Sequence, residues 1–151
     1  MTLVEPIEGL RAEWDGGRWR LVDDPGPEAV EVVRMLSVKL DDGRSLGVVA
    51  ARPRGASGHG EESVRALVEG ADDGTPDFEE VLLSTEYDGD GLVLRAGAEL
   101  YPRGGYAMRL AGDRAAPPDG TARSQTCPMS FRLDGVAGTG VYELQDRRPA
   151  S

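Results

Sequence analysis

Apolar side chains along this chain gather in short segments bounded by clusters of Gly, Pro, Asp and Ser. Most of these segments alternate or are rich in β-branched residues, which is the signature of strands. Trp14 and Trp19 flank the turn-like Asp15-Gly16-Gly17, so residues 1–29 read as a short hairpin followed by a linker that breaks at Asp23-Asp24-Pro25-Gly26-Pro27. Residues 30–40 (VEVVRMLSVKL) and the following SLGVVAARP form a second hairpin. With Asp42-Gly43 as a two-residue type I′ turn, Leu40 faces Ser45, Val38 faces Gly47 and Leu36 faces Val49, while Val33, Met35, Leu46, Val48 and Ala50 share the opposite face. Both faces are then largely apolar. Such a hairpin is either central in a sandwich or lines an apolar cavity with one face.

The Gly- and Ser-rich loop of residues 53–63 leads into VRALVEG, where Val64, Leu67 and Val68 give helical spacing and Val64, Ala66 and Val68 give alternation; a strand is expected. The next hairpin spans residues 78–101 around Tyr87-Asp88-Gly89-Asp90-Gly91. Symmetric pairing sets Tyr87, Thr85, Leu83 and Val81 opposite Leu92, Leu94, Ala96 and Ala98 on one face. On the other, Glu86 meets Val93, Ser84 meets Arg95, Leu82 meets Gly97 and Glu80 meets Glu99. Gly104-Gly105 turns into YAMRLAG, residues 113–120 form a loop around Pro117-Pro118, and SFRLDGVAGTGVYELQ reads as a last hairpin through Asp134-Gly135. About eight short strands with turns between them predict an all-β fold, an antiparallel barrel or β-sandwich.

Composition agrees: 21 Gly and 10 Pro in 151 residues suit a chain with many turns, and the length suits one domain, placed at residues 30–151 after the N-terminal hairpin and linker. There are 27 acidic residues against 17 basic, a net charge of -10, which would repel a phosphate backbone and argues against nucleic acid as a partner. No apolar run approaches the ~20 residues needed to span a bilayer, so no membrane attachment is expected. The opening MTLVEPIEGLRAEW lacks the basic and apolar regions of a signal peptide, so a cytoplasmic location is expected. Cys127 is the only cysteine and can form no intrachain disulfide.

The residues offer little conventional chemistry. One His and one Cys cannot build a zinc site, and no cofactor is expected. His59 lies in the Gly-rich loop, either as a solvated residue or in an acid/base or ligand-gating role. The run from Asp88 fails as a calcium loop, because Leu92 and Val93 stand where a ligand and a glycine are required. No Gly-x-Ser-x-Gly turn is present, and Cys127 reads as a packed thiol. The polar constellation with mechanistic content is the face of Glu80, Ser84, Glu86, Arg95 and Glu99. Like charges opposite one another on a sheet must be solvated, screened by Arg95, or share a proton. That face is either the wet side of a sheet or a polar spot inside an apolar cavity, where burial would make Glu80 or Glu99 a usable general acid. Tyr87, Tyr101, Tyr106 and Tyr142 could add hydroxyl donors.

The order of segments VKLDDGRSLGVVAARP, VRALVEG, EVLLSTEYDGDGLVLRAGAELYPRGG and MSFRLDGVAGTGVYEL resembles the C-terminal half of the carotenoid hydratase (hydroxyneurosporene synthase) superfamily of lipocalin-like proteins, over about residues 30–145. The resemblance implies a lipocalin-like barrel with an apolar pocket for a terpenoid, steroid or polyketide-like molecule, and cofactor-free hydration, dehydration, isomerisation or cyclisation. A protonated Glu80 or Glu99 would donate to the substrate. Met35, Leu36, Val48, Leu82 and Met108 would wall the pocket, with Arg95 and Tyr101 as polar contacts, and Glu143 falls on a family position at the end of GTGVYE. Proteins of that superfamily usually carry two such β-domains. The alternative is therefore a non-catalytic binding or dimerisation module, a homodimer or a heterodimer with a related β-domain, that buries the apolar face of the 30–52 hairpin.

Overall fold

The computed structural model describes residues 2–55, 62–70 and 77–149. Twelve strands form among these described residues: β1 (Thr2–Ile7), β2 (Leu10–Trp14), β3 (Trp19–Asp23), β4 (Val30–Leu40), β5 (Ser45–Pro53), β6 (Ser63–Glu69), β7 (Phe78–Tyr87), β8 (Val93–Pro102), β9 (Met108–Arg114), β10 (Asp119–Gly120), β11 (Ser124–Leu133) and β12 (Val136–Asp146). Every pairing is antiparallel. The main sheet runs β6-β5-β4-β12-β11-β9-β8-β7, with β10 appended to β11, and it curls until β6 and β7 lie near each other. The result is an all-β, nearly closed eight-stranded barrel with a separate small sheet, β1-β2-β3. No helix among the described residues is long and apolar enough to cross a membrane.

The turns decide which side chains face the interior. Asp134 and Gly135 both have positive φ (47° and 89°), and Leu133 pairs with Val136, so the last hairpin has the expected two-residue turn. The Asp42-Gly43 hairpin corrects the expectation. Only Gly43 has positive φ, Gly43 N–H donates to Leu40 C=O, and Leu40 N–H donates to Arg44 C=O, which makes a three-residue loop. The Asp42 carboxylate accepts from Arg44 N–H and stabilises this longer turn. Pairing moves by one residue, to Leu36 with Val48, Val38 with Leu46 and Met35 with Val49. Consequently Val48 and Leu46 share a face with Leu36, not with Met35.

The 78–101 hairpin differs by two residues, keeping its faces from Arg95 onward and exchanging them at 92–94. Its loop closes as Asp88 N–H to Leu92 C=O, one residue wider than symmetric pairing requires, and a bulge between Tyr87 and Glu86 adds a second shift. Thr85 therefore pairs with Ala96, Leu83 with Ala98 and Val81 with Leu100, and Val93 rather than Leu92 or Leu94 points inward beside Tyr87.

Two apolar clusters result. The barrel interior is filled by Leu36, Val38, Val48, Leu100, Phe131, Leu133 and their neighbours. The second cluster lies outside the barrel wall, where Val33, Met35, Val49, Ala51 and Leu67 are covered by Leu10, Ala12, Trp14 and Trp19 of the small sheet. Residues 1–29 therefore do more than the expected hairpin and linker: β1 adds a third strand, and the sheet caps the outer face of β4 and β5. Trp19 fastens it, donating Nε1–H to Leu36 C=O (3.1 Å) and N–H to Ser37 Oγ (3.2 Å).

Candidate functional site

Alternation along β4 puts Arg34 on the same inward face as Val32, Leu36 and Val38, in the middle of an apolar strand. A guanidinium taken out of water is costly unless it is paired and hydrogen-bonded. Arg34 is both: Nη1–H donates to Thr85 Oγ1 at 3.0 Å and Nη2 forms an ion pair with Glu62, the two charged side chains being only 14% and 16% exposed. Thr85 belongs to β7, and Glu62 directly precedes β6. No ladder joins those two strands among the described residues, so a side chain from β4 bridges the gap in the wall.

A cleft of about 660 Å³ opens along this gap, lined by Arg34, Glu62, Val64, Arg65, Val81 and Leu83 among others, with Glu79 and Glu80 at its rim. It falls within the ~300–1,000 Å³ range of small-molecule sites. Further inside, Tyr142 is fully buried, and its phenol lies 2.6 Å from that of the half-exposed Tyr87. Burial pushes the Tyr142 phenol well above its ordinary range, Tyr87 adds to the effect, and Arg34 opposes it. Tyr142 therefore stays protonated at neutral pH and acts as a hydrogen-bonding group, not a base. At the same end of the barrel, Asp88 pairs with Arg114 at 2.8 Å, and the buried Gln125 bonds to the backbone of Val93 and Gly91.

The residues singled out from sequence are distributed over three environments. Leu36, Val48 and Met108 face the barrel interior. Met35 lies on the opposite side of β4 beneath the small sheet, where its outward-facing partner Glu143 pairs with Arg18 at 3.3 Å. Glu80, Leu82, Arg95, Glu99 and Tyr101 belong to the outer face of β7 and β8. Glu80 stands opposite Tyr101 and Leu82 opposite Glu99, so the expected juxtaposition of Glu80 and Glu99 is corrected by the two-residue shift. Glu99 accepts a short hydrogen bond from Tyr101, and Arg95 forms exposed pairs with Glu86 and Asp113. Glu80, Glu86 and Arg95 are exposed and Glu99 is half-buried, so this face lies outside the barrel interior. Cys127 is buried, and burial raises its thiol, consistent with a packed residue. His59 lies outside the described residues.

Arg34, Glu62 and Thr85 were not among the candidate site residues singled out from the sequence. The signal was Arg34 itself, a charge sharing one strand face with four apolar residues; its partners come from distant segments that no local pattern connects. Comparison with protein-family models, with curated proteins and with solved structures finds no match.

Proposed function

We propose that this chain binds a small molecule with an apolar body, of the terpenoid, steroid or polyketide-like class, in the cleft between β6 and β7. One observation carries the reading: the barrel wall fails to close at a place where a cleft of about 660 Å³ combines apolar side chains with a nearly buried arginine. Val64, Val81 and Leu83 supply apolar contact, and Arg34 and Thr85 supply the few polar groups that fix orientation in such sites. Of the carboxyls lining the cleft, Glu62 is committed to Arg34 and Glu79 and Glu80 are exposed at the rim, while Glu99 belongs to the outer face of β8. The reading is therefore one of binding rather than turnover.

The test is native mass spectrometry of gently purified protein, followed by titration with an environment-sensitive apolar fluorophore. Saturable binding of one probe per chain is expected. Leu83→Trp, which places a larger ring in the cleft, should weaken it by about tenfold or more, with some lowering of the unfolding midpoint because Leu83 also packs against the barrel core. Binding that is unsaturable, or indifferent to Leu83→Trp in a folded variant, would remove the proposal.

A further inference from the structure

We infer that the cleft selects an amphipathic carboxylate, and that Glu62 is an internal stand-in for that ligand's head group. The inference rests on the β6–β7 cleft being the binding site and concerns the chemistry of what it takes. Arg34 projects from an apolar strand and is only 14% exposed, so its charge must be balanced whenever the cleft is dry. In the free protein Glu62 supplies that balance, and Thr85 Oγ1 accepts the second guanidinium hydrogen bond at 3.0 Å.

Geometry and charge together restrict what can replace Glu62. A neutral molecule entering the gap can lie beside the ion pair but cannot displace it, because the guanidinium would be left buried without a counter-charge. A carboxylate can take the place of Glu62 with no change in the charge facing Arg34. Planar carboxylate is also the group that the guanidinium fork matches. Phosphate dianions are disfavoured, since Glu79 and Glu80 rim the cleft and the chain as a whole carries a net charge of -10. The apolar part of the ligand would follow Val64, Val81 and Leu83.

The exchange has a mechanical consequence. Arg34 is the side-chain link between the segment leading into β6 and strand β7, so releasing Glu62 frees the β6 side of the gap while Thr85 still holds β7. A carboxylate ligand thus loosens the bridge by binding to it. The gap and its key belong to the same three residues.

The experiment compares a dansyl-labelled undecanoic acid with its methyl ester on the full chain, by fluorescence titration. The acid should bind about tenfold more tightly than the ester, the ratio supplied by a charge-assisted hydrogen bond. Glu62→Gln, which keeps the shape of the side chain and removes its charge, should strengthen acid binding several-fold and leave the ester unchanged. Arg34→Met should abolish the difference between acid and ester. Should Arg34→Met not fold, the Glu62→Gln comparison alone decides, because a purely structural ion pair would lower stability without favouring the acid. Equal, saturable binding of acid and ester would overturn the carboxylate assignment while leaving the cleft as a binding site. Failure of both probes to bind would remove both.

Discussion

Gly47 shows how one residue joins the two parts of the molecule. It lies on the outer face of β5, and a Cβ there would fall 2.6 Å from the Trp14 ring and 2.8 Å from that of Trp19. The missing side chain is the socket that lets both indoles, edge to face with ring centroids 5.0 Å apart, settle on the barrel wall. Asp88 works through its charge as well as its shape. One of its oxygens accepts the N–H groups of Asp90 and Leu92 to form the β7–β8 loop, and the other pairs with Arg114. Its carboxyl is held below its ordinary range, first by the hydrogen bond from Arg114 and then by the backbone donors. Because the folded state lowers this pKa, the stabilisation is complete above the unfolded value near 3.8 and is lost as pH falls through the depressed one. Asp88→Asn keeps an acceptor for the loop and removes the charge. The variant should be less stable than the parent at pH 7, and the two should converge as the pH falls through the depressed value, as urea unfolding over an acid series would show. A gap that persists in acid would assign the effect to loop shape instead of charge.

At the scale of elements, the ladder between β8 and β9 ends at Arg95 and Asp113, yet Val93 lies further along β8 and is completely buried. Two side chains continue the missing strand: Gln125 Oε1 accepts Val93 N–H at 2.7 Å, and Arg114 Nε–H donates to Val93 C=O at 2.8 Å. Gln125→Leu should cost about 1–3 kcal/mol, the penalty of a buried donor left unpaired, and should accelerate hydrogen exchange at the Val93 amide. Unchanged protection there would mean that another acceptor replaces the glutamine. Elements of this kind were only partly legible in the sequence. Alternation located β4 to β9, β11 and β12, including β6 from Val64, Ala66 and Val68, because a half-buried strand writes its burial every second residue; the two-residue β10 fell within the expected 113–120 loop. It did not fix register. Asp42-Gly43 and Asp134-Gly135 are the same dipeptide, but the first builds a three-residue loop and the second a two-residue turn. The difference depends on which neighbours the aspartate and backbone bond, and a single residue of slip separated Met35 from Val48. In the 78–101 hairpin two slips left the faces from Arg95 onward intact, so its outer side was foreseeable, whereas the expected Glu80–Glu99 pairing does not form. Arg34 on an apolar strand face was a local signal, but its bridge was not, since it exists only once β4, β6 and β7 enclose a common interior.

For the molecule as a whole, the decisive feature is that its most apolar hairpin is buried on both sides by its own chain. The sequence left three ways to bury such a hairpin: a central place in a sandwich, a cavity along one face, or a second polypeptide. In the fold the inner face joins the barrel core, and β1–β3 pack over the outer face, as a central position requires. The small sheet is thus part of the folding unit, and the ion pair of Arg18 with Glu143 and the hydrogen bonds of Trp19 tie it to β12 and β4. Removing residues 2–23 would uncover Val33, Met35, Val49, Ala51 and Leu67, all now at most 5% exposed. Each large apolar side chain returned to water forfeits about 1.5–3 kcal/mol, and several in one patch on a flat sheet make an adhesive surface. The truncated chain is expected to self-associate or to bind an apolar dye strongly, with a lower unfolding midpoint, as sedimentation and thermal melts would report. The barrel cleft lies elsewhere, on the β6–β7 side, so adding back the excised segment as a peptide should restore the midpoint without competing for the ligand. A truncated monomer as stable as the parent would show that the barrel stands alone and that the N-terminal sheet is an appendage.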